Sequence, residues 1–422
     1  YNYLNNRSMK YMNNDDSDPG SLMLRSSSLE GKAQFRFENR SYYGSWTVRE
    51  GGVADWRHYD AAVYKRTTDN AYVSNDTYLG FLEYALFASA DYRSPSSKVN
   101  ASFGLRLDGS TFSSATAAFW KQFSPRASVS YMPWDSWSFN ASAAIYHQLP
   151  PLTALSYRDP DGNPVNGNLE YMRVASFAAG ADWRLRDRLF IGLESFYKHF
   201  LDIPLSVATG VPLTCTGADY GSIGEEPLVS SAIGRSYGLE LIVRWLIPDK
   251  ITLIGSATVY ASEYKADKES SYIPSAWDNR FILNLSAVYD LPHYWSLGMK
   301  VSAIGGAPYT PYDEVVSSYK TVWDAGGRPV YDYARYNQKR LSPYYQVDLR
   351  VDKNFYFRKW TLGLYVDLQN VTFSKIRQPD AYLSTGEIIN PDALPSEQRY
   401  ALEVLELWSG TIVPAIGVTV EF

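Results

Sequence analysis

The sequence predicts an all-β fold, an antiparallel up-and-down β-barrel that crosses a membrane. Three observations predict it. Apolar and polar residues alternate over segments of about ten residues or more, the length of a tilted strand that crosses a bilayer. Short and long connections alternate along the chain. Aromatic residues are abundant, with 35 Tyr, 12 Trp and 18 Phe among 422 residues, and Tyr and Trp favour places where an apolar surface meets water.

The alternation is clearest in residues 345–352, where every second residue is apolar and the residues between are Gln, Asp or Arg. Residues 99–108, 237–245, 281–287 and 360–369 follow the same period. A soluble sandwich also alternates, but its strands are usually about five to six residues long. The longer segments, with charges repeating on the polar face, favour a membrane barrel over a soluble sandwich or propeller.

Fifteen strands are predicted on this basis. Their ranges are 27–40, 45–60, 77–94, 97–112, 121–133, 137–150, 172–186, 189–205, 234–247, 250–266, 279–291, 295–311, 342–357, 359–373 and 413–422. The connections between them alternate between short turns and long segments, the longest near 151–171, 206–233, 312–341 and 374–412. Outer-membrane barrels have this asymmetry, with tight periplasmic turns and extended extracellular loops.

An odd number of strands is unusual, because bacterial outer-membrane barrels normally close with an even number. Residues 1–26 are polar and turn-rich. They are predicted to form an extracellular loop, with the tail of one further strand near Tyr1–Leu4. We therefore expect the chain to supply about 15 or 16 C-terminal strands of a larger barrel.

Composition excludes several classes of protein and site. The 45 acidic and 40 basic side chains give a formal charge of −5, which argues against a nucleic-acid binder held by a basic surface. Cys215 is the single cysteine, so no internal disulfide can form. The four His are far apart, and no catalytic arrangement is recognisable, so neither a metal, nor a cofactor, nor an enzyme activity is expected. No apolar run is long enough for a transmembrane helix.

Several segments resemble motifs of the TonB-dependent receptors of Gram-negative outer membranes. Residues 305–311, Gly-Gly-Ala-Pro-Tyr-Thr-Pro, are similar to the family's Gly-x-Pro-Tyr-Thr-Pro strand exit, and residues 236–241 look like its small-x-Gly-x-Glu strand. The other segments that carry the resemblance are 124–131, 137–140, 146–151, 167–170, 274–285 and 347–371, with the terminal Phe422. The last block is similar to receptors from Bacteroidetes-type bacteria.

The resemblance implies a 22-stranded barrel around an N-terminal plug. Residues 1–422 would be its C-terminal part, with the plug and the first strands outside the chain. Family members import scarce nutrients, such as siderophore-iron, cobalamin, glycans or peptides, with energy passed through TonB to an N-terminal box. The implied partners are the lipid bilayer, TonB and, in some complexes, surface lipoproteins or other outer-membrane subunits. A structural subunit of an outer-membrane complex and a passive porin are alternatives, and an outer-membrane hydrolase is the least supported.

Candidate functional residues fall into three groups. Charged residues on the polar face would line the lumen, either as plug or substrate contacts or as wall charges that pair across neighbouring strands: Arg106, Asp108, Glu240, Arg244, Asp348, Arg350, Asp352 and Asp367. Aromatic residues in long loops could stack on a ligand or partner, or pack within the loops: Trp323, Tyr331, Tyr333, Tyr336 and Tyr382. The resemblance makes Phe422 an assembly signal.

Two loop segments have local signatures. Residues 396–407 have helix-forming composition with Ser396 as a candidate N-cap, which predicts a helix that acts as a lid, a docking element or a loop stiffener. Residues 159–163, Asp-Pro-Asp-Gly-Asn, have the composition of a calcium loop but lack its closing Glu. Turn chemistry explains Asp-Pro and Asp-Gly as well.

Overall fold

The computed structural model describes residues 2–11, 16–66, 72–159, 161–217 and 226–422. Sixteen long strands form one antiparallel sheet, and each pairs with its neighbours in the sequence. They are β1 (Asn2–Tyr11), β2 (Leu22–Tyr43), β3 (Trp46–Arg66), β4 (Tyr72–Arg93), β5 (Val99–Ser110), β6 (Phe123–Trp134), β7 (Trp137–Gln148), β8 (Met172–Leu185), β9 (Leu189–Ser206), β10 (Leu228–Ile247), β11 (Ile251–Lys265), β12 (Phe281–Leu291), β13 (Trp295–Ile304), β14 (Tyr344–Tyr356), β15 (Thr361–Gln369) and β16 (Val413–Glu421).

The strands run up and down, so their connections lie at two opposite ends of the sheet. Seven short turns join β2 to β3, β4 to β5, and so on to β14 and β15, and they define the turn end. The other connections include residues 149–171, 305–343 and 370–412, and they define the loop end. The predicted alternation of short and long connections is confirmed.

The short elements lie mainly in the loops. The helices are α1 (Ser114–Ala117), α2 (Leu152–Leu155), α3 (Glu314–Ser318) and α4 (Lys320–Gly326), and there are 3-10 turns at Pro19–Ser21, Phe119–Gln122, Leu213–Cys215, Pro292–Tyr294 and Tyr333–Arg335. Short strands occur at Ile273–Pro274, Pro308–Tyr309, Lys339–Arg340, Ile376–Arg377, Ala381–Ile388, Tyr400–Leu405 and Trp408–Ser409. Across the described residues, no helix has the length and apolar character that a membrane crossing requires.

The register carries the predicted apolar face from strand to strand. Residues directly opposite each other share a face of the sheet, and Val351 lies opposite Val366, which lies opposite Ile416. These side chains are not covered by a second layer: Val366 is 43% exposed and Ile416 is 80% exposed. A soluble sandwich would bury this face, so its exposure along the sheet is the pattern of a surface that lipid covers.

Aromatic rings gather at the turn end of the apolar face. Trp46 and Tyr92 have ring centroids 4.9 Å apart, and Phe357 and Trp360 have theirs 4.2 Å apart. Lys353 places its ammonium 5.3 Å from the ring centroid of Trp295. Aromatic girdles with nearby cations are typical of the level where a membrane barrel leaves the hydrocarbon.

All fifteen predicted strands are confirmed, and so is the further strand predicted near Tyr1–Leu4, but the loop predicted for the rest of residues 1–26 was wrong where β1 and the start of β2 lie. Residues 2–11 form β1, which pairs with residues 22–32 of β2 over its whole length. Strand β1 shows no alternation of apolar and polar residues in the sequence. It pairs with the part of β2 that extends beyond the apolar band, and there neither face of a strand needs to be apolar. The long strands within the described residues therefore number sixteen, an even count.

The helix predicted for residues 396–407 was also wrong. Tyr400–Leu405 is a strand, and it forms a hairpin with Ala381–Ile388. Residues 400–405 read Tyr-Ala-Leu-Glu-Val-Leu, which suits either structure in isolation, and the partner strand decides between them. Tertiary context commonly overrides helix propensity in this way.

The two edges of the sheet differ from its interior. Among the described residues, β16 and the lower part of β2, residues 33–43, pair with a neighbouring strand on one side only. Both edges carry the backbone donors and acceptors that a further strand would use.

Candidate functional site

The polar face of the sheet carries the predicted luminal charges, but most of the contacts run along a strand. Arg106 Nη2 lies 2.8 Å from Asp108 Oδ1, and Arg350 Nη2 lies 2.7 Å from Asp352 Oδ1. The members of each pair are two residues apart on one strand and so point to the same face. In these two pairs the charges do not pair across neighbouring strands, as one alternative expected. The arginine and the aspartate of each pair neutralise each other along one strand.

Asp348 and Asp367 have different partners. Asp348 Oδ1 accepts hydrogen bonds from Gln346 Nε2 at 2.7 Å and from the backbone nitrogen of Asn370 at 2.8 Å. Asp367 lies opposite Arg350 in the register. Asp348 therefore connects the polar wall to the first residue of the loop 370–412.

Glu240 and Arg244, on β10, have no ion-pair partner among the described residues. Glu240 lies directly opposite Glu194 of β9, and Arg244 lies opposite Phe190. The Arg244 guanidinium carbon is 5.3 Å from the centroid of the Phe190 ring. These two residues lie on the polar face of the sheet, without the neutralisation found elsewhere on that face.

A network of ion pairs on β2, β3 and β4 was not predicted from the sequence. Arg57 donates from Nε to Glu83 Oε2 at 2.8 Å and lies 3.5 Å from Glu30. Further pairs in this network are Lys32–Asp55 and Arg49–Asp91, both at 2.8 Å. The period of two would have found these residues, because they fall on the same polar face.

At the loop end, the connections fold inward and build two small apolar clusters. Residues 149–171 place Leu155 and Leu169 against Phe81 of β4, together with Leu213 and Leu228. The second cluster joins Ile203, Val211, Cys215, Ala232 and Tyr264. The loops therefore have cores of their own, which hold them in one arrangement over the mouth of the sheet.

Buried asparagines join loops that are distant in sequence. Asn337 donates from Nδ2 to the carbonyl oxygens of Cys215 at 2.8 Å and Pro274 at 3.0 Å, and its backbone nitrogen donates to Thr310 Oγ1. Its φ of 52° lies in the left-handed region, which Asn tolerates better than most residues. Asn166 connects Ala154, Glu226 and Leu228 in the same way.

A buried carboxylate fixes the base of two loops. Asp278 is fully buried, and its Oδ2 lies 2.5 Å from Arg340 Nη2 and 3.1 Å from Arg280 Nε. Arg340 also donates to the backbone oxygens of Asp278 and Gly306. Asp278 belongs to the loop 266–280 and Arg340 to the loop 305–343, so this ion pair holds their bases together.

Four of the five predicted loop aromatics form one cluster with Tyr312, which the sequence analysis missed. Tyr312 stacks on Tyr331 with centroids 4.8 Å apart and meets Tyr382 edge-on at 5.3 Å. Tyr333 contacts Tyr331 at 6.4 Å and Tyr336 at 6.1 Å. Tyr331 and Tyr333 are the most exposed members, at 42% and 52%. We call these five residues the tyrosine cluster.

Trp323 does not join the tyrosine cluster: within the described residues it makes no ring–ring contact, and it lies in α4. Tyr312 gave a signal that a search for aromatic residues in the loop could have found, since it lies directly after the Tyr-Thr-Pro motif.

The loop 370–412 rests on the loop 305–343 through polar contacts. Tyr382 Oη donates to Glu314 Oε1 at 2.9 Å, and Tyr400 Oη donates to Asp324 Oδ1 at 2.9 Å. Arg399 donates to Tyr319 Oη at 3.1 Å. The hairpin 381–405 therefore lies over α3 and α4 and covers one side of the tyrosine cluster.

Protonation in the loops follows burial. Burial raises the pKa of the Cys215 thiol to about 12, so the thiol stays neutral. Burial, followed by the hydrogen bond to Glu314, raises the pKa of Tyr382 to about 12. Asp159 accepts hydrogen bonds from the backbone and side chain of Asn163, which lower its pKa, and this closes a turn.

The described residues contain no group of three or more His, Cys, Asp or Glu placed to hold a metal ion.

The family model described as TonB dependent receptor-like, beta-barrel, matches residues 1–371. The chain belongs to this family. The resemblance drawn from the sequence motifs is therefore confirmed, and membership assigns the chain to a family of outer-membrane barrel receptors and not of enzymes. A search of the curated proteins finds no match.

Solved structures share the fold of this TonB-dependent receptor chain at low sequence identity. The ferric yersiniabactin uptake receptor FyuA from Yersinia pestis is 13% identical with a TM-score of 0.61, over 94% of this chain and 55% of that one. The ferric citrate transporter FecA in the unliganded form is 12% identical with a TM-score of 0.59, over 99% and 58%. The pyoverdine outer membrane receptor FpvA from Pseudomonas aeruginosa PAO1 is 14% identical with a TM-score of 0.59, over 94% and 54%. The chain thus spans little more than half of the length of the structures it matches.

Proposed function

We propose that the chain forms the C-terminal wall and extracellular mouth of a receptor that imports a scarce nutrient across the outer membrane with energy passed through TonB. The observation that carries the proposal is the combination of a charged inner wall with loops that are folded over its mouth. A ligand class that suits the exposed rings of the tyrosine cluster is a flat chelate or a sugar, because both can stack on an aromatic face. Siderophore-iron, cobalamin, glycans and peptides remain the candidate cargoes.

We also propose that further strands complete the sheet, to the 22 strands of the plugged class of outer-membrane transporters. The support is physical. The hydrocarbon of a bilayer offers no water to backbone groups, so an open edge at membrane depth costs several kcal/mol for each unsatisfied group. On this proposal the lower part of β2 and β16 pair with strands outside residues 1–422, TonB engages a box outside them, and the polar-wall charges face the plug.

Binding measurements on the purified receptor test the function. The probes are a ferric siderophore, cobalamin, a malto-oligosaccharide and an oligopeptide mixture, each followed by quenching of intrinsic fluorescence. We expect saturable binding of one probe, weakened about tenfold by replacing both Tyr331 and Tyr333 with Ala, since each ring contributes about 0.5–1.5 kcal/mol. Tyr78→Ala is the matched control, because Tyr78 is 62% exposed and lies outside the tyrosine cluster. Absence of saturable binding by all four probes, or an equal loss in the control, would contradict the proposal.

A structural role in an outer-membrane complex is the second candidate, and one observation favours it. The loop 370–412 exposes large apolar side chains, with Leu394 at 65%, Ile389 at 60% and Leu383 at 48%, and exposed apolar groups at a loop tip suit a protein partner. Gentle purification from native membranes separates the two candidates. A stoichiometric partner that is lost when Leu394 and Ile389 are replaced by Ser, with ligand binding absent, would favour the scaffold.

A further inference from the structure

Three basic residues lie on the apolar face of the sheet at the loop end of β9, β10 and β11. They are His199, Arg235 and Lys265. Arg235 lies directly opposite His199 on one side and Glu263 on the other, and Lys265 follows Glu263 by two residues on the same face. By contrast, the fully described strands β12, β13, β15 and β16 carry no charged residue on this face. We call the three residues the basic site.

Exposed aromatic rings lie next to the basic site, on the side of the membrane band. Tyr237 is two residues from Arg235 on β10 and lies opposite Tyr197, which in turn lies opposite Phe177 of β8. The three rings are 40%, 42% and 53% exposed. Exposed aromatic residues mark the level at which a membrane barrel leaves the hydrocarbon. The basic site therefore lies at the height of the lipid headgroups, on the side of the long loops.

The protein leaves part of the hydrogen-bonding capacity of the basic site unused. Arg235 Nε and Nη2 lie 2.9 Å and 2.7 Å from Glu263 Oε1, and these contacts engage one edge of the guanidinium. Lys265 donates one hydrogen bond to the carbonyl oxygen of Lys268 at 2.8 Å, and it has no carboxylate within ion-pair distance in the described part of the chain. Nδ1 of His199 is buried and has no hydrogen-bond partner among the described residues. The polar groups at this place are therefore incompletely paired, with an excess of positive charge.

Tyr272, in the loop 266–280, brings two of these cations together. The guanidinium carbon of Arg235 is 4.0 Å from the centroid of the Tyr272 ring, and the ammonium of Lys265 is 4.9 Å from it. Both cations are attracted by the π-electrons of the same ring, so both are within reach of one anionic ligand. A ligand with a quaternary ammonium group is disfavoured, because it would need the same ring and would be repelled by both cations.

A groove on the apolar face extends from the basic site. It has a volume of about 740 Å³ and is bordered by Arg235, Phe177, Tyr197, Tyr237, Leu239, Ala179 and Ser195. Ala179 lies opposite Ser195, which lies opposite Leu239, so two small side chains stand in one row beside larger ones. The small side chains leave a depression between the exposed rings. A flexible apolar chain can fill such a depression and bury the surfaces that line it.

We propose that the basic site and the groove bind one phosphorylated lipid of the leaflet on the loop side. The phosphate group lies between Arg235 and Lys265, which donate charge-assisted hydrogen bonds to its oxygens. One acyl chain lies in the groove along Ala179 and Ser195. The site is on the face of the sheet opposite to the polar wall, so it depends neither on an imported nutrient nor on anything inside the lumen.

Native mass spectrometry of the full-length receptor in detergent tests the site. The probes are dioleoyl phosphatidic acid and dioleoylglycerol, which have the same acyl chains and differ by the phosphate group. We expect one phosphatidic acid to bind at least about tenfold more tightly than dioleoylglycerol. Replacing both Arg235 and Lys265 with Gln should abolish this preference. Ser195→Leu fills the groove and should weaken the binding of both lipids by about the same factor.

Lys353→Gln is the matched control, because Lys353 also stands beside a ring on the apolar face, 5.3 Å from the centroid of Trp295, but at the turn end. It should leave the affinity for phosphatidic acid within about twofold, and heat-modifiable electrophoretic mobility confirms that each variant is folded. The proposal is overturned if the two lipids bind equally, if the double substitution preserves the preference, or if Lys353→Gln lowers the affinity as much as the double substitution. Displacement of phosphatidic acid by an equal concentration of inorganic phosphate also overturns it, since the ligand is then free phosphate and not a lipid.

Discussion

Val351→Arg tests the assignment of the apolar face most directly. Val351 lies on β14 midway between Tyr345 and Phe357 and opposite Val366. At about 3.3 Å per residue and a tilt of about 45°, six residues place it about 14 Å from each of these rings. The introduced guanidinium would lie near the midplane, where it costs about 2–4 kcal/mol, or about 30- to 900-fold in the folding equilibrium.

Position and facing can be separated with two further variants. Leu349→Arg should cost less than Val351→Arg, because it lies two residues closer to Tyr345 and its long side chain can reach towards the interface. Gln346→Arg is the control on the polar face, where the introduced group lies two residues from Asp348, as Arg350 lies from Asp352. Urea titration of folding into phospholipid vesicles, read by heat-modifiable mobility, gives the three free energies. A loss in Gln346→Arg equal to that in Val351→Arg would refute the facing of the strands.

Four further predictions concern the loops and the terminus. Asn337→Ala removes the side-chain hydrogen bonds to Cys215 and Pro274, and we expect it to lower the stability of the loops by about 2–3 kcal/mol. Faster proteolysis in the loops 207–217 and 305–343 measures this loss. Asn337→Gly should show the same loss if the hydrogen bonds, and not the positive φ, are responsible. Cys215 should react with a thiol reagent at pH 8 at least about a hundredfold more slowly in the folded protein than in urea, because the thiol stays protonated and buried; equal rates would disprove its burial. The neutral hydroxyl of Tyr382 donates to Glu314 and so holds the hairpin 381–405. The stability that this hydrogen bond contributes is complete below pH 10 and is lost as the pH rises towards about 12. The difference in absorbance at 295 nm between the protein and Tyr382→Phe should show the ionisation of Tyr382 near pH 12, and ionisation at pH 10 would contradict the prediction. Deleting Phe422, which is fully exposed after β16, should slow membrane insertion in a pulse-chase assay, and unchanged kinetics would remove its role as an assembly signal.

The sheet could be predicted because lipid imposes a simple rule on the sequence. Every strand inside the apolar band must present an apolar residue at each second position. The sequences of segments such as 345–352 and 360–369 therefore predict both that they are strands and which of their side chains lie on the apolar face. The rule has no force outside the band. Strand β1 has Asn5, Asn6 and Arg7 in its centre, and no local pattern distinguishes it from a polar loop.

For the candidate site, the sequence predicted the face of the sheet on which each charged residue lies but not its ion-pair partner. The period of two placed Arg106 and Arg350 on the polar face, but it does not tell whether such a charge pairs along its strand or, like Arg244, has no ion-pair partner among the described residues. The loop site was less accessible still. The tyrosine cluster depends on contacts between loops that are far apart in sequence, and the bonds of Asn337 to Cys215 and Pro274 span 122 and 63 residues.

The last loop closes at its base before it extends over the mouth. Asn370 accepts from the backbone nitrogen of Ser374 at 2.9 Å and donates to the carbonyl oxygens of Ser374 and Thr411, and Ile376–Arg377 pairs with Trp408–Ser409 just above. This neck separates residues 378–407 from the barrel strands that carry them. The segment can therefore be exchanged as a cassette: a receptor could acquire new surface specificity by recombination above the neck while its membrane wall folds as before.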